Sequence, residues 1–233
     1  SAAVRKKKAD MGLATDGDAD RLGAVDHTGA YVDPHRIFIL LMKYLYTTKK
    51  RRGAVVKTVS LTSMVNAYCE KNKIKLHETP VGFKYVAKLM SEEKILIGGE
   101  ESGGLGTSLH IPERDGVFNG LLLLEMMAST KKSLKQLCDD LDEEFGPHRY
   151  RRRDVRVTEQ KKKSILAACA KKPLSIGKHK VTRIDTRDGF KFYVENGWLL
   201  IRASGTEPLL RFYAEANTME TVNELIDAAL LLS

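Results

Sequence analysis

Short apolar runs alternate with segments of helical spacing through the first two thirds of the chain. The runs at 53–58, 74–78 and 95–97 are short and bounded by turn residues, which predicts strands. Between them, apolar residues recur at helical spacing over 62–71 and 83–90. This order of strand, helix, strand, helix and strand predicts a mostly parallel sheet with helices on its faces.

Further elements surround this alternation. Two short strands joined by a glycine turn are predicted at 22–25 and 30–32, and a helix opens at Pro34, where the missing N–H of proline costs nothing. A core stripe on that helix is formed by Ile37, Phe38, Leu41, Met42 and Leu45. Helices are also predicted after the N-cap Asp115 and over 133–145, and Gly146-Pro147 then marks a boundary.

The pattern changes after Gly146-Pro147. The remaining chain predicts strands and two helices in the order strand 148–157, helix 159–170, strands 181–185, 190–195, 198–203 and 209–215, and helix 219–231. Asp188-Gly189 and Asn196-Gly197 are predicted hairpin turns, the second with the residue pair of a type I′ turn. The predicted fold class is α/β: a mixed, mostly parallel α/β sheet domain, then a small α+β domain with a mostly antiparallel sheet.

Composition narrows the class of protein. The chain has 233 residues, of which 42% are apolar, enough for a buried core and more than one domain. No stretch approaches the ~20 apolar residues of a membrane span, and no signal peptide is visible. Three cysteines, Cys69, Cys138 and Cys169, lie far apart in helical patterns, which favours reduced, buried thiols and a cytoplasmic location.

The formal net charge of +9 is compatible with nucleic acid, a membrane surface or small anions such as phosphates. Basic runs such as 5–8, 49–52 and 151–153 supply much of this charge. They lie between unrelated elements and lack the interleaved aromatic residues that bind single-stranded nucleic acid. We therefore expect most of them to be solvated surface, with neither a nucleic acid nor a membrane as partner.

The strongest candidate for chemistry is the stretch 15–21, in which three carboxylates alternate with two small residues: Asp16, Asp18 and Asp20. We expect Gly17 to let the chain curl so that the carboxylates converge. Converging carboxylates repel one another unless a cation lies among them, which predicts a hard divalent ion, Mg²⁺ first. Arg21 beside such an ion suits a site that holds a phosphate.

Two other interpretations of this stretch compete. One is an ordinary acidic turn. The other is a calcium loop of the EF-hand type, which requires glycine at its sixth position and glutamate at its twelfth, where this chain has Arg21 and His27. The strand ahead of the stretch has no upstream partner, from which we expect this chain to be the C-terminal part of a longer protein.

Two loops that follow predicted parallel strands are candidate ligand contacts, because ligands of such sheets bind at the carboxyl ends of the strands. The loop 79–84 places Gly82 at a helix entrance and Lys84 one turn in, although an ordinary loop fits as well. In the loop 98–104, glycines bracket Glu100 and Ser102, whose side chains can bond sugar hydroxyls. A flexible linker is the alternative for this second loop.

A last candidate lies between two strands of the small domain. The backbone of Ser204, Gly205 and Thr206 can form a concave nest for an anion, and two hydroxyl groups add donors. Arg202 and Arg211 add fork-shaped cations. A tight turn needs only glycine and proline, so the surplus of anion-binding groups favours a phosphate site.

Together, four loops strongly resemble the alpha-D-phosphohexomutase family, which includes phosphoglucomutase and phosphomannomutase. In sequence they read DGDADR, TPVGFKYV, GGEESGG and RASGTEPLLRFYAE. Family members have four domains around a cleft. The resemblance implies that residues 1–33 end the second domain, 34–147 form the third and 148–233 form the fourth.

The resemblance also implies roles. Mg²⁺ would be bound by Asp16, Asp18 and Asp20, with Arg21 beside it as a catalytic residue. Sugar hydroxyls would be held by Gly82, Lys84, Glu100 and Ser102. The phosphate that does not react would be held by Arg202, Ser204, Gly205, Thr206 and Arg211. The family reaction transfers a phosphoryl group between a phosphoserine and the sugar, through a bisphosphorylated hexose that turns over between two transfers.

One departure concerns the phosphoserine. In the family this serine precedes His-Asn-Pro, and no such sequence occurs here; Ser60 and Ser63 lack those neighbours. We therefore expect the partners to be a hexose phosphate, its bisphosphate and the missing N-terminal domains. The alternative is a non-catalytic sugar-phosphate-binding or regulatory module, and a weaker one is a basic nucleic-acid-binding protein. The loops favour glucose and mannose phosphates over glucosamine phosphate only slightly.

The missing serine generates a first prediction. This polypeptide alone should not interconvert hexose 1-phosphate and hexose 6-phosphate, because it lacks the group that carries the phosphoryl between them. A coupled assay on the purified chain, cleared of host mutase, checks this. Turnover that follows the chain through purification would contradict the prediction.

Overall fold

A computed structural model describes residues 1–204 and 209–232 and divides into two compact units, Ser1–Phe145 and Gly146–Ser233. The strands of the first unit are β1 (Met11–Thr15), β2 (Leu22–Asp26), β3 (Tyr31–Val32), β4 (Ala54–Thr58), β5 (Leu76–Thr79), β6 (Ile95–Gly99) and β7 (Leu105–Thr107). Its helices are α1 (Ala2–Lys7), α2 (Pro34–Lys43), α3 (Met64–Lys71), α4 (Phe83–Glu92), α5 (Gly116–Thr130) and α6 (Leu134–Phe145). A π-helical turn, Tyr44–Thr48, extends α2.

The first sheet of this unit has the order β1-β2-β3 and is antiparallel throughout. The two strands predicted at 22–25 and 30–32 are confirmed. The strand ahead of the acidic stretch, β1, pairs with the strand that follows the stretch, β2, with Thr15 opposite Leu22. Residues 16–21 are therefore a hairpin connection. Helix α1, which the sequence did not predict, precedes this sheet and buries only Val4.

The second sheet has the order β5-β4-β6-β7. Strands β5 and β6 both pair with β4 in parallel, as the alternating pattern predicted. Strand β7 was not predicted, since glycines surround it, and it runs antiparallel to β6. The carboxyl ends of β4, β5 and β6 lie at one edge of the sheet, so the loops that follow these strands meet there.

Helix α2 lies at the centre of the first unit's core. Asp33 caps it by accepting a hydrogen bond from the N–H of Arg36 (3.0 Å), and Pro34 occupies its first turn. Burial extends beyond the predicted stripe to Ile39 and Leu40. A helix that is buried on all faces must be covered by several neighbours, and α2 shares its apolar core with residues of α3, α5 and α6.

The second unit follows the predicted pattern closely. Its strands are β8 (Arg149–Arg156), β9 (Ser175–Ile176), β10 (His179–Lys180), β11 (Arg183–Asp185), β12 (Phe190–Val194), β13 (Gly197–Ala203) and β14 (Leu209–Ala216). Its helices are α7 (Glu159–Ala170) and α8 (Met219–Leu230). The main sheet is antiparallel in the order β11-β12-β13-β14-β8, and the small hairpin of β9 and β10 was not predicted.

Alternation along the central strands separates two faces of this sheet. Leu199 and Ile201 of β13 and Phe212 of β14 belong to the core that α7 and α8 share. Arg202 follows Ile201 and Arg211 precedes Phe212, so both arginines lie on the opposite face. These two arginines are direct cross-strand partners.

The hairpin between β12 and β13 corrects one prediction. Val194 pairs directly with Gly197, so the connecting residues are Glu195 and Asn196, and neither Asn196 nor Gly197 has a positive φ. A type I′ turn at Asn196-Gly197 is therefore wrong. The glycine is explained by packing instead, because a Cβ at Gly197 would collide with the carbonyl oxygen of Glu215.

Within the described part of the chain, no helix combines the length and apolar character needed to cross a lipid bilayer. The three cysteines are free and buried. Burial raises the pKa of Cys69 and Cys169 to about 12 and that of Cys138 to about 11.

The buried thiols generate a second prediction. Iodoacetamide at about pH 8 should leave all three cysteines unmodified in the folded chain. Their raised pKa values keep the thiols protonated, and burial prevents the reagent from reaching them. After unfolding in guanidinium, three alkyl groups should be added. Intact mass spectrometry counts the groups, and alkylation of any cysteine as fast as in the unfolded control would contradict the prediction.

Candidate functional site

The acidic hairpin connection between β1 and β2 curls at an alanine. Ala19 has a φ of 56°, and its N–H donates to the carbonyl oxygen of Asp16 (3.1 Å). Gly17 has no positive φ, and a Cβ there would meet nothing within 4 Å. The sequence-based role of Gly17 is therefore wrong: this backbone turns at Ala19, a left-handed residue that costs more for alanine than for glycine.

Two of the three aspartates gather around Arg21. The Nε atom of Arg21 lies 3.5 Å from Oδ2 of Asp16 and 3.8 Å from Oδ1 of Asp20. Asp16 and Asp18 are exposed, whereas Asp20 is partly buried. Asp20 Oδ1 is itself buried and accepts no hydrogen bond from any residue that the structure describes.

Backbone hydrogen bonds join this connection to the glycine-rich loop after β6. The N–H of Leu22 donates to the carbonyl oxygen of Gly103 (3.1 Å), and Arg21 forms an antiparallel bridge with Gly104. Gly103 has a φ of 99°, and a Cβ there would lie 2.7 Å from the carbonyl oxygen of Leu22. This glycine is required both by its backbone conformation and by the close approach.

Glu100 and Gly82 meet at the carboxyl ends of the parallel strands. The N–H of Gly82, the N-cap of α4, donates to Oε1 of Glu100 (2.8 Å). Only 6% of Glu100 is exposed. Burial and the neighbouring charge of Glu101 raise the pKa of Glu100, and the bond from Gly82 and the charges of Arg114 and Arg21 lower it less.

Lys84 and Ser102, the other two predicted sugar contacts, make no hydrogen bond with Glu100 or Gly82 within the described part of the chain. Lys84 is exposed, and its Nζ lies 5.0 Å from the ring centroid of Tyr85. Ser102 is half-buried in the loop that carries Glu100. The structure thus brings Glu100 and Gly82 into contact and leaves Lys84 at the surface.

Glu101 anchors the same loop on a different strand. It is buried, and its Oε2 accepts a hydrogen bond from the hydroxyl of Ser60, with the hydroxyl of Thr58 at 3.5 Å. Ser60 is fully buried in this contact. A hydroxyl held in this way is a structural group, in agreement with leaving Ser60 out of the candidates for the phosphoserine.

Arg114 is a residue that the sequence analysis missed. Its Nη2 lies 2.9 Å from Oδ2 of Asp20, and its guanidinium carbon lies 5.2 Å from the ring centroid of Phe83. A Cβ at Gly104 would lie 2.5 Å from Cδ of Arg114. Its position just before the N-cap Asp115 was the available signal, but the sequence could not show which loops it touches.

Among residues 1–204 and 209–232, no group of three or more His, Cys, Asp or Glu side chains is arranged to hold a metal ion. The donor types nonetheless suit a hard cation, since carboxylate oxygens are its preferred ligands. The buried Oδ1 of Asp20 is an acceptor without a hydrogen bond from the described residues. The assignment of Mg²⁺ to Asp16, Asp18 and Asp20 stays a prediction.

In the second unit, carboxylates hold the two cross-strand arginines. Nε of Arg202 lies 2.8 Å from Oδ2 of Asp188, and Nε of Arg211 lies 3.6 Å from Oδ2 of Asp154. Burial lowers the pKa of Arg202, whereas the hydrogen bond and the charge of Asp188 raise it. The net result is a pKa above the ordinary value of arginine. Ion pairs with these carboxylates orient both guanidinium groups on this face.

The remaining predicted phosphate ligands can be described only in part. Ser204 is buried, and its N–H donates to the carbonyl oxygen of Leu209 (3.0 Å). Gly205 and Thr206 lie outside the described residues, so the predicted backbone nest stays a prediction.

The first unit has a mostly parallel sheet with polar residues at the carboxyl ends of its strands, and the second unit is α+β. Together they define an α/β protein of two units with a candidate ligand site. Comparison with known families makes the class specific. Residues 33–145 match the phosphoglucomutase/phosphomannomutase alpha/beta/alpha domain III, and residues 154–232 match the phosphoglucomutase/phosphomannomutase C-terminal domain. The chain belongs to the phosphoglucomutase/phosphomannomutase family, as its four loops indicated.

Individual relatives with similar sequences or structures belong to the same family. A phosphoglucomutase/phosphomannomutase of Thermococcus kodakarensis is 32% identical over 98% of this chain and 48% of its own length. A phosphoglucosamine mutase of Bacillus cytotoxicus is 35% identical over 96% of this chain and 46% of its own length. The crystal structure of a putative phosphomannomutase from Thermus thermophilus superimposes with a TM-score of 0.81 at 34% identity, covering 98% of this chain and 47% of that one. The chain spans about half the length of these relatives.

Burial of Glu100 generates a third prediction. Because its pKa is raised in the folded chain, ionisation costs more in the folded than in the unfolded state, and stability falls as pH rises from 4.5 through the raised pKa. Glu100→Gln should therefore increase the free energy of unfolding at neutral pH, and the gain should shrink below pH 4.5.

Urea unfolding of both proteins across this pH range measures the difference. Glu92→Gln, at a 55% exposed glutamate paired with Lys88, is the matched control and should change little. A wild-type chain that is as stable as Glu100→Gln at every pH would show that the carboxylate is not penalised.

Proposed function

We propose that this chain is the C-terminal half of a phosphohexomutase that interconverts hexose 1-phosphate and hexose 6-phosphate. In this proposal residues 1–33 complete the second domain of the family, 34–147 are the third domain and 148–233 the fourth. The two matched family domains, at 33–145 and 154–232, support the last two assignments.

The first unit would hold the reacting end of the substrate. Asp16, Asp18 and Asp20 would bind Mg²⁺, which supplies charge neutralisation at the transferring phosphoryl group. Arg21 would stabilise the same charge, because a guanidinium matches the geometry of phosphate oxygens. Positioning and charge neutralisation supply most of the catalysis of phosphoryl transfer, and these are the parts that the proposal assigns to this unit.

Sugar hydroxyls would be bound by Gly82, Lys84, Glu100 and Ser102. The buried carboxylate of Glu100 is held by one backbone donor, that of Gly82, which leaves lone pairs to accept from a sugar. Lys84 is exposed, so its ammonium group is accessible to a ligand.

The second unit would bind the phosphate that does not react. Arg202, Ser204, Gly205, Thr206 and Arg211 are the proposed ligands. A site that touches neither reacting oxygen can hold the sugar in either orientation, as the two transfers through a hexose bisphosphate require. The phosphoserine would come from the upstream domains of the protein.

One observation carries this proposal: the acidic connection and the glycine-rich loop are joined by their backbones. The bonds from Leu22 to Gly103 and from Gly82 to Glu100 link the acidic connection, the loop that carries Glu100 and the N-terminus of α4, which supports a shared ligand site. A solvated acidic turn would not need these bonds, and neither would a nucleic-acid surface.

The proposed hexose is glucose or mannose. Similar relatives include both a phosphoglucomutase/phosphomannomutase and a phosphoglucosamine mutase, so glucosamine phosphate is the competitor to test. Calorimetric titration of the chain with glucose 1-phosphate, mannose 1-phosphate and glucosamine 1-phosphate, with Mg²⁺ present, separates them. Failure of all three to bind at millimolar concentration would reject the proposal, and tight, salt-sensitive binding of mixed DNA or RNA would favour the nucleic-acid alternative.

A fourth prediction concerns the phosphate ligand of the second unit. Arg211→Ala should weaken glucose 1-phosphate binding between about tenfold and a hundredfold, because a hydrogen bond to a charged group contributes ~1.5–3 kcal/mol. The fold should persist, since the ion pair of Arg211 with Asp154 is long and partly exposed.

Arg153→Ala is the matched control. Arg153 lies on β8 directly opposite Phe212 and pairs with Asp227 of α8, so it belongs to the helix-covered face. It should leave glucose 1-phosphate affinity unchanged. Equal losses in the two variants would indicate a general effect of charge and contradict the assignment of Arg211.

A further inference from the structure

Arg114 contacts three of the loops that the sequence singled out separately. Its guanidinium pairs with Asp20 of the acidic connection and lies over Phe83, the first residue of α4. Its aliphatic stem passes close to Gly104, where a side chain would collide with it. A single side chain thus contacts the acidic connection at Asp20, the start of α4 at Phe83 and the glycine-rich loop at Gly104.

The charges around Arg114 are mainly acidic. Asp20 lies at 2.9 Å and Glu113 at 3.3 Å, and the charge of Arg114 also acts on Glu100. Arg21 is the other cation of this group. The strongest of these contacts, that with Asp20, uses a carboxylate that the proposed function assigns to a cation.

The two oxygens of Asp20 have different surroundings. Oδ2 pairs with Arg114, whereas Oδ1 is buried and accepts no hydrogen bond within residues 1–204 and 209–232. A divalent cation bound at Asp20 would stand a few ångströms from the guanidinium, and like charges at that distance repel strongly when partly buried. The cation and Arg114 therefore compete for the same carboxylate.

We propose that Arg114 is a ligand-binding residue that couples cation binding to sugar-phosphate binding. Without a cation, Arg114 neutralises Asp20. When a cation is bound at Asp20, the guanidinium is released and binds the hydroxyl or phosphate group at the reacting end of the sugar. This inference rests on the proposed function, because it requires a divalent cation at Asp20 and a phosphorylated sugar beside it.

Reciprocity makes the coupling measurable. If Mg²⁺ strengthens glucose 1-phosphate binding by some factor, glucose 1-phosphate must strengthen Mg²⁺ binding by the same factor. Calorimetry of each ligand with and without the other gives this coupling factor for the wild-type chain. We expect a factor of about five or more, the lower end of typical coupling between sites.

Arg114→Gln tests the inference. We expect this variant to bind Mg²⁺ alone about threefold more tightly or better, because Asp20 loses its competing cation, and to show a coupling factor at least threefold smaller. It should also bind glucose 1-phosphate in Mg²⁺ about tenfold more weakly. A purely structural arginine predicts weaker or unchanged Mg²⁺ binding in the variant, so either result would overturn the proposal.

Lys132→Gln is the matched control for net charge. Lys132 pairs with Asp140 at the surface of the same unit, and its replacement should leave all three affinities unchanged. Equal gains in Mg²⁺ affinity in the two variants would reduce the effect to general electrostatics and reject the role of Arg114.

A second variant guards against loss of folding. Circular dichroism checks each protein, and if Arg114→Gln does not fold, Arg114→Lys must still show a smaller coupling factor, since an ammonium cannot bond a carboxylate or phosphate through two parallel donors. An unchanged factor in Arg114→Lys would then overturn the proposal. If the wild-type chain binds neither ligand, the proposed function fails with it; if it binds both and the variants keep the coupling, only this inference fails.

Discussion

The candidate site of the first unit depends on a short backbone contact between two distant segments. Arg21 and Leu22, at the end of the acidic connection, pair with Gly104 and Gly103. The N–H of Gly116 adds a third bond, to the carbonyl oxygen of Ala19 (2.8 Å). Because backbone hydrogen bonds fix position as well as direction, the carboxylates of one segment gain a fixed relation to the acids of the other.

Two adjacent buried glutamates make the second segment rigid. Glu100 is held by the backbone of α4, and Glu101 by the hydroxyl of Ser60 after β4. Burial of a carboxylate without such partners would cost several kcal/mol, so the native loop conformation is the one in which both acids find donors. The loop is therefore anchored on two neighbouring strand ends, which is how a glycine-rich segment keeps one conformation.

In the second unit, the alternation of side chains along two strands positions the candidate phosphate ligands. Alternation along β13 and β14 sends apolar side chains into the core beneath α7 and α8 and leaves Arg202 and Arg211 on the opposite face. Their acidic partners, Asp188 and Asp154, orient the guanidinium groups without neutralising every donor. A cross-strand pair of arginines would repel in isolation, and it suits a face that receives an anion.

The sequence by itself determined the order of the elements, the class of each unit and the family, because hydrophobic period and turn residues act locally and four loop motifs are contiguous in the chain. It also predicted that the loops after β4, β5 and β6 share an edge, which the bonds of Gly82 and Ser60 confirm. Only the tertiary structure decided that the acidic connection turns at Ala19, that β1 pairs with β2 and that Gly197 serves packing. The same holds for Arg114, whose partners lie far from it in the chain, since such contacts depend on how helices and strands pack and leave no local pattern.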